Sequence, residues 1–264
     1  MRIAFWNIKN TLPASHVILL VDSQLPDLLI FAEADLILDE LEALLIKKRY
    51  KMLFSAVQKL LFFTTLDESF FSNMAEISHM SIVKYSPPVG DSLIVAGVHL
   101  PSKLYMDSDD QQSFSQRISE KIEEFESINM TSNTIVIGDF NMNPFEKGMV
   151  AHRALNSTFF SSIAREGGKT HNGVEKEYFY NPSLALYNDE RDAKGSYFRK
   201  MNKETEFYWY LFDQVLIRPS LIPRFNKDTF EVLSELCGVS LLNKNGKPKS
   251  KVSDHLPIVC ELLN

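Results

Sequence analysis

Short apolar runs recur along this chain, and most of them end in a polar residue. Ile3-Ala4-Phe5-Trp6 ends in Asn7, Leu28 to Ala32 in Glu33, Leu93 to Val98 in His99, and Thr134 to Gly138 in Asp139. Leu211-Phe212 and Val215-Leu216-Ile217 bracket Asp213, and Leu256 to Cys260 follows directly on Asp254-His255. Runs of this length, rich in β-branched and aromatic residues, predict strands buried on both faces. Between them lie helical patterns. The clearest runs from Asp109 to Met130, where Phe114, Ile118, Ile122 and Phe125 recur at three- and four-residue steps. Two more are expected over Ala34 to Arg49 and Ala14 to Ser23. Strands mixed with helices imply an α/β or α+β layered fold.

With 45% hydrophobic and 23% charged residues, the chain can bury a large core, and its 264 residues are most economically one domain, 1–264. No repeat or low-complexity tract interrupts it. Gly167 to Tyr210 differs in being polar, glycine-bearing and crowded with aromatics, which is the composition of a functional loop region. The net charge of -6 argues against wrapping nucleic acid on an all-round basic surface. It leaves a nuclease open, because a carboxylate-rich site carries part of that charge itself.

Cys237 and Cys260 form no disulfide framework and no CxxC pair, and are expected to be two buried thiols in a reducing compartment. No apolar run reaches membrane-spanning length. The strand at Ile3 to Trp6 follows Met1 and Arg2 directly, leaving no room for a secretory leader. The expected location is therefore the cytoplasm, with Asn129-Met130-Thr131 and Asn156-Ser157-Thr158 as coincidental sequons.

The strand-end residues Asn7, Glu33, His99, Asp139, Asn141, Asp213, Asp254 and His255 are consistent in kind. Asp139 and Asn141 share a strand face if the strand persists that far. Carboxylates brought this close repel, and need a hard cation or a protonated histidine between them. Carboxylate and amide oxygens suit Mg²⁺ or Mn²⁺, whereas zinc favours histidine and cysteine. Each motif alone has an ordinary structural explanation: Gly-Asp-Phe-Asn as a turn, Ser-Asp-His-Leu-Pro as a loop entering an edge strand, Glu33 as a solvated cap. Their joint occurrence in this order is harder to explain that way.

These residues resemble the endonuclease/exonuclease/phosphatase superfamily, the group with the DNase-I-like fold. The matching motifs are Trp6-Asn7, Glu33, Gly97-Val98-His99-Leu100-Pro101, Gly138-Asp139-Phe140-Asn141-Met142-Asn143-Pro144, Phe212-Asp213-Gln214-Val215 and Ser253-Asp254-His255-Leu256-Pro257. They span almost the whole chain in the family's order. Tyr180-Asn181-Pro182, Gly195-Ser196-Tyr197 and Trp209 look like a bacterial branch of undefined substrate. The resemblance implies a four-layer α/β sandwich, two face-to-face mixed β-sheets flanked by helices, with the site at one end. One departure is the stretch from Tyr50 to Tyr85, where the family's glycine-rich strand pair is replaced by Gln58-Lys59-Leu60-Leu61-Phe62-Phe63.

By the same resemblance Glu33 anchors a magnesium or manganese ion, with Asn7 and Asp254 as direct or water-mediated ligands. Asp139 and Asn141 would position the attacking water and the scissile phosphate, and His255, held by Asp213, would complete the acid–base apparatus. His99 would contact the phosphate or assist the leaving group. The sequence leaves open whether Asp139 or His255 takes the proton, although pairing with Asp213 favours an imidazolium, a better phosphate clamp than base.

Lys244, Lys247, Lys249 and Lys251 precede Asp254-His255 and are candidate backbone contacts, Lys249 and Lys251 foremost, although a lysine-rich loop is usually a solvated connection. Lys103, Tyr105 and Arg117 follow His99 and are further substrate-binding candidates. The region from Lys176 to Tyr210 mixes Tyr178, Tyr180, Tyr187, Tyr197 and Tyr208 with Lys194, Arg199, Lys200 and Lys203, the pairing of rings and cations that binds single-stranded nucleic acid. Trp209 and Tyr210 are expected in the core. Gly167-Gly168-Lys169-Thr170 lacks the earlier glycine and the strand of a P-loop. The expected function is a metal-dependent nuclease acting on DNA or RNA. The alternatives are a phosphoesterase for a small-molecule or lipid phosphate, and a catalytically silent binding module.

Overall fold

The computed structural model describes residues 1–11, 14–53, 60–103, 106–200 and 206–263. Eight strands in chain order fix the frame: β1 Arg2–Asn7, β2 Leu28–Ala32, β3 Lys51–Met52, β4 Leu60–Thr64, β5 Phe71–Ile77, β6 Met80–Tyr85, β7 Leu93–His99 and β8 Thr134–Asp139. A six-stranded sheet runs Glu231–Val232, Ile258–Glu261, β1, β2, β4, β3. A seven-stranded sheet runs β5, β6, β7, β8, Asp213–Ile217, Phe179–Tyr180, Ser157–Thr158. Both are mixed: β1 pairs parallel with β2 and β7 parallel with β8, while the hairpins and the strands Asp213–Ile217 and Ile258–Glu261 pair antiparallel. The sheets face each other and helices lie outside, as the sequence implies.

Strands β1, β2, β4, β7 and β8 read as continuous apolar runs because each buries both faces. In β8, Ile135 and Ile137 join the core shared with the first sheet, and Val136 joins the core under a long helix. Val95 against Ile94, Ala96 and Val98, and Val215 and Ile217 against Leu216, divide in the same way. Burying each of these aliphatic side chains contributes roughly 1.5–3 kcal/mol. The sheets pack tightly at Gly97, where a Cβ would lie 2.8 Å from Phe62 Cζ and 3.2 Å from Ile30 Cγ2.

Helices α1 Ala14–Gln24, α2 Leu38–Ile46 and α3 Ser108–Asn129 pack through Val17, Leu20 and Val21, through Leu41 and Leu45, and through Phe114, Ile118, Ile122 and Phe125. Asp107 caps α3, accepting from the amides of Asp109 and Asp110, and Asp110 reciprocates in a capping box. Met130, in the left-handed conformation, ends it. No helix among the described residues is long and apolar enough to cross a membrane.

Several expectations need correction. The helix expected over Ala34 to Arg49 is split into a 3₁₀ turn, Asp35–Ile37, and the shorter α2. Leu211 and Phe212 precede the strand that begins at Asp213, and Leu256 and Pro257 precede the one that begins at Ile258. The stretch from Gly167 to Tyr210 is less irregular than its composition suggests: Gly168–His171 pairs with Val174–Glu177, and Tyr197–Phe198 pairs with Trp209–Tyr210. Lys169-Thr170 thus lies in a hairpin. Between Tyr50 and Tyr85 the pairing needs no glycine, since β4 joins β2 and the β5–β6 turn uses His79 at φ 68°. Gln58 and Lys59 lie outside the described residues. Cys260 is buried, but Cys237 is exposed, because it stands at φ 49° in the turn between the short strands Glu235–Leu236 and Val239–Ser240.

Candidate active site

Strand register assembles the site. His99 lies opposite Asp139 across the parallel β7–β8 pair, and Asp139 lies opposite Asp213 across the next, antiparallel pair. All three have the parity of Val95, Ile137 and Val215, so all three fall on the face turned toward the first sheet. There β1 ends in Asn7, and β2 is followed by Glu33. Gly138 makes the placement of Asp139 possible: at φ 153°, a Cβ there would lie 2.0 Å from the Val98 carbonyl oxygen.

Asp139 is the hub. Its Oδ2 accepts from Asn7 Nδ2 at 3.0 Å and lies 3.8 Å from His99 Nε2 and 3.7 Å from His255 Nε2. Its Oδ1 accepts from the Asn141 amide at 2.8 Å. The strand stops at Asp139, and Asn141 turns left-handed at φ 51°, so these two residues do not share a strand face. Asn141 instead anchors the loop, donating from Nδ2 to the Leu100 carbonyl at 2.9 Å.

His255 Nδ1 lies 2.8 Å from Asp213 Oδ2. Burial alone would depress the imidazole, but the carboxylates of Asp213, Asp139 and Asp254 outweigh it and push its pKa up to about 10. Burial pushes the Asp213 carboxyl up as well, against the pull of His255, so the pair holds one proton tightly. The loop is clamped on several sides. Trp6 Nε1 donates to the His255 carbonyl, Ser253 Oγ donates to the Asn7 carbonyl, and the Tyr197 ring lies 4.6 Å from the imidazole.

Glu33 also adopts a left-handed backbone, φ 50°. Its Oε1 lies 3.3 Å from His99 Nε2 and accepts from Asn7 at 3.2 Å. The hydrogen bond from His99 leads the effects that hold the Glu33 carboxyl down at about 2, against the opposing effect of burial. Behind the site Asn181, Gln214 and Asn143 form a buried polar layer: Asn181 donates to Gln214, Gln214 to the Met142 and Leu211 carbonyls, and Asn143 accepts from the Leu211 amide.

These groups open onto a cavity of about 610 Å³ lined by Glu33, His99, Asp139, Asn141, Asp254 and His255, with Lys9, Arg199 and Lys200 supplying positive charge. A second recess of about 580 Å³ adjoins it at Glu33 and His99 and includes His79, whose Nδ1 lies 2.8 Å from the His99 carbonyl oxygen. Lys9 and His79 escape the sequence pattern because neither ends a buried strand. A cation two residues beyond the strand-terminal Asn7 is the only sequence signal for Lys9. The softer candidates lie elsewhere. Lys103 pairs with Glu146, the Arg117 guanidinium lies over the Phe114 ring, and Lys249 donates to the Ser240 carbonyl. Lys251 is exposed and, like Lys103, Arg117 and Lys249, does not line the cavity. Tyr105 and Lys203 lie outside the described residues. Trp209 and Tyr210 are buried, as expected.

Two groupings could hold a metal ion. Asp139, Asp213 and His255 offer ligand atoms within 4.8 Å of one another. An imidazolium, however, has no lone pair to give, so that group is already balanced by its proton. The other grouping is Glu33 with Asp254: among the described residues Glu33 makes its bonds through Oε1, which leaves Oε2 to a cation, and its carboxyl stays ionised. This oxygen-only donor set fits a hard ion. Asn7 presents its amide nitrogen to Glu33 and Asp139, and its Oδ1 accepts from the Lys9 amide at 3.2 Å. It bridges the carboxylates as a donor in this arrangement.

No family model matches the chain, and no curated protein is similar to it in sequence. Solved structures are similar in three dimensions. NExo from Neisseria, a 3′ phosphatase solved with a product DNA hairpin, aligns over 99% of both chains with a TM-score of 0.60 at 14% identity. The chain has the DNase-I-like fold. Truncated TDP2 from Caenorhabditis elegans aligns over 100% of this chain and 97% of its own at TM-score 0.59 and 14% identity. The human Nocturnin catalytic domain, solved with bound sulfate, aligns over 99% and 93% at TM-score 0.55 and 16% identity. This is the fold of the endonuclease/exonuclease/phosphatase superfamily that the strand-end motifs imply.

Proposed function

We propose that the chain, acting as one domain over residues 1–264, is a divalent-metal-dependent hydrolase of phosphodiesters in nucleic acid. The observation that carries this reading is Asp139, a buried acceptor that lies between two histidines and the Asn7 amide and lines a cavity rimmed by cations. An imidazolium with a pKa near 10 is a poor base and a strong anion donor. His255 therefore clamps a phosphate oxygen, and Asp139 orients the attacking water and takes its proton. Asn141 holds Asp139 in place through its backbone amide, and Asp213 fixes the ring and charge of His255. His99 is poised between Glu33 and the phosphate position to assist the leaving oxygen. Glu33 and Asp254 would hold the ion, Mg²⁺ or Mn²⁺, which when bound supplies positive charge to the phosphoryl group.

The cations Lys9, Arg199 and Lys200 at the cavity favour a polyanion over a single phosphate ester. NExo with its DNA hairpin and zebrafish TDP2 with its single-stranded DNA product support the same substrate class. A silent binding module would have no use for carboxylates clustered against their own repulsion. The test is direct: incubate the purified chain with plasmid, single-stranded DNA, RNA and a chromogenic phosphodiester, with Mg²⁺, Mn²⁺ or chelator. Cleavage of a nucleic acid that stops with chelator is the expected result. Full activity in excess chelator, or hydrolysis of the small ester alone, would overturn the reading.

A further inference from the structure

One cation in the cavity is already engaged with a carboxylate of the site. Lys9 Nζ lies 2.5 Å from Asp254 Oδ2, with side chains 49% and 25% exposed. Ion pairs this open to solvent contribute little to stability. The backbone beneath it is unfavourable for a lysine: Lys9 is left-handed at φ 52°, next to Asn10 at φ 51°, where asparagine is tolerated. Lysine gains nothing from that conformation, and strain of this kind is retained where a side chain must be aimed. Here it aims the lysine across the cavity mouth. The loop is fixed in that shape, because the Lys9 amide donates to Asn7 Oδ1 and the Asn10 amide to the Glu33 carbonyl at 2.6 Å. The ammonium thus hangs, on a flexible stem, from the loop that follows Asn7 and is hydrogen-bonded to the Glu33 backbone through Asn10.

We infer that Lys9 is a positioning residue with two partners: its ammonium neutralises Asp254 when no metal ion is present, and engages the substrate's phosphate when one is. This rests on the metal-dependent reading proposed above. Asp254 cannot serve a divalent ion fully while an ammonium holds its Oδ2, so Lys9 competes with the metal. Once displaced, the same ammonium still lines the cavity and can meet an incoming anion there. The device keeps the carboxylates compensated in the resting site, and adds a phosphate contact only when the site is loaded.

The test measures Mn²⁺ binding to the substrate-free protein by the paramagnetic resonance of free Mn²⁺, for the natural chain, Lys9→Met and Lys9→Arg. Removing the charge should tighten Mn²⁺ binding at least about fivefold, and arginine should restore near-natural affinity. Calorimetric titration with inorganic phosphate at saturating Mg²⁺ should show Lys9→Met weakened at least about fivefold, and without metal the variant and natural chain should match. Equal or weaker Mn²⁺ binding in Lys9→Met, or unchanged phosphate affinity with Mg²⁺ present, overturns the inference while leaving the metal-dependent reading intact. If neither the natural chain nor Lys9→Met binds Mn²⁺, both fall together. Lys9 is half-exposed, and matching thermal melts will show that the variants fold.

Discussion

His255 Nδ1 and Asp213 Oδ2 lie 2.8 Å apart with both side chains buried, and the second oxygen of Asp213, also buried, has no hydrogen-bond partner among the described residues. His255 is the dominant partner of the Asp213 carboxylate, with Ser196 beside it, and the histidine and aspartate should act as one unit. His255→Ala should lower turnover at least about a hundredfold, the usual scale for losing a positioned phosphate clamp. Asp139→Asn should cost as much. Asp213→Asn should cost less, and adding it to His255→Ala should change little further. Rates of a short substrate at saturating metal decide it. Multiplicative losses in the double variant would separate the two residues.

Glu33 yields a prediction about stability. Its carboxyl is held at about 2, below its ordinary value of 4.5, so the ionised form is favoured in the folded protein. The resulting stabilisation is fully present above pH 4.5 and is lost as pH falls toward 2. In metal-free protein, Glu33→Gln should therefore be less stable than the natural chain at neutral pH, with the gap closing on acidification. Urea melts at a series of pH values measure it. A gap that widened in acid would contradict the placement of Glu33 against His99.

Sequence exposed the parts of this site that end buried strands. In β1, β7 and β8 the apolar run stops where the backbone leaves the sandwich, and the next polar residue lands at its end; burial on both faces makes such runs conspicuous. Helix α3 was equally legible from its three- and four-residue spacing. The cations were legible only in part: Arg199 and Lys200, named in the stretch of mixed rings and cations, line the cavity, whereas the lysines before Asp254 do not. Lys249 and Lys251 are neighbours of Asp254 in sequence but do not line its cavity, whereas Lys9 reaches Asp254 from 245 residues away. Surface charge has no periodicity to betray which way it faces. The left-handed turn at Glu33 was likewise invisible, because glutamate carries no preference for that conformation, whereas asparagine favours it and the Gly-Asp-Phe-Asn motif of Asn141 already read as a possible turn.

Gly138 should be intolerant in a way that reads out through Asp139. An added methyl at this φ would meet the Val98 carbonyl oxygen at 2.0 Å, and that is backbone in the middle of a sheet. Gly138→Ala should cost several kcal/mol, beyond the ~1–3 kcal/mol typical of overpacking, and the folded fraction should lose activity as Asp139 shifts. Gly167→Ala, at φ 93° with nothing within 4 Å of the new atom, serves as the control for conformational strain alone. Thermal melts of the two variants should differ clearly, and equal melting temperatures would mean that the β7–β8 approach is looser than described.

The last prediction concerns which cations hold the substrate. Arg199 and Lys200 line the cavity, and Arg199 follows the short strand whose Tyr197 packs on His255. Lys249 is occupied with the Ser240 carbonyl, and Lys251 lies apart from the cavity. A single strand bound through phosphate contacts loses affinity linearly with the logarithm of salt concentration, with a slope of about 0.7 per contact. Replacing Arg199 and Lys200 with alanine should weaken binding of every sequence alike and flatten that slope by roughly 0.7 for each contact removed. The same replacement of Lys249 and Lys251 should leave the slope unchanged, reversing the order suggested by proximity to Asp254 in the sequence. Binding should be measured with Ca²⁺ in place of Mg²⁺, so that cleavage does not distort the isotherms. A slope moved only by the Lys249 and Lys251 changes would assign the substrate path to the other side of the His255 loop. A slope moved by neither pair would remove the case for a polyanion and leave a small phosphate ester as the substrate.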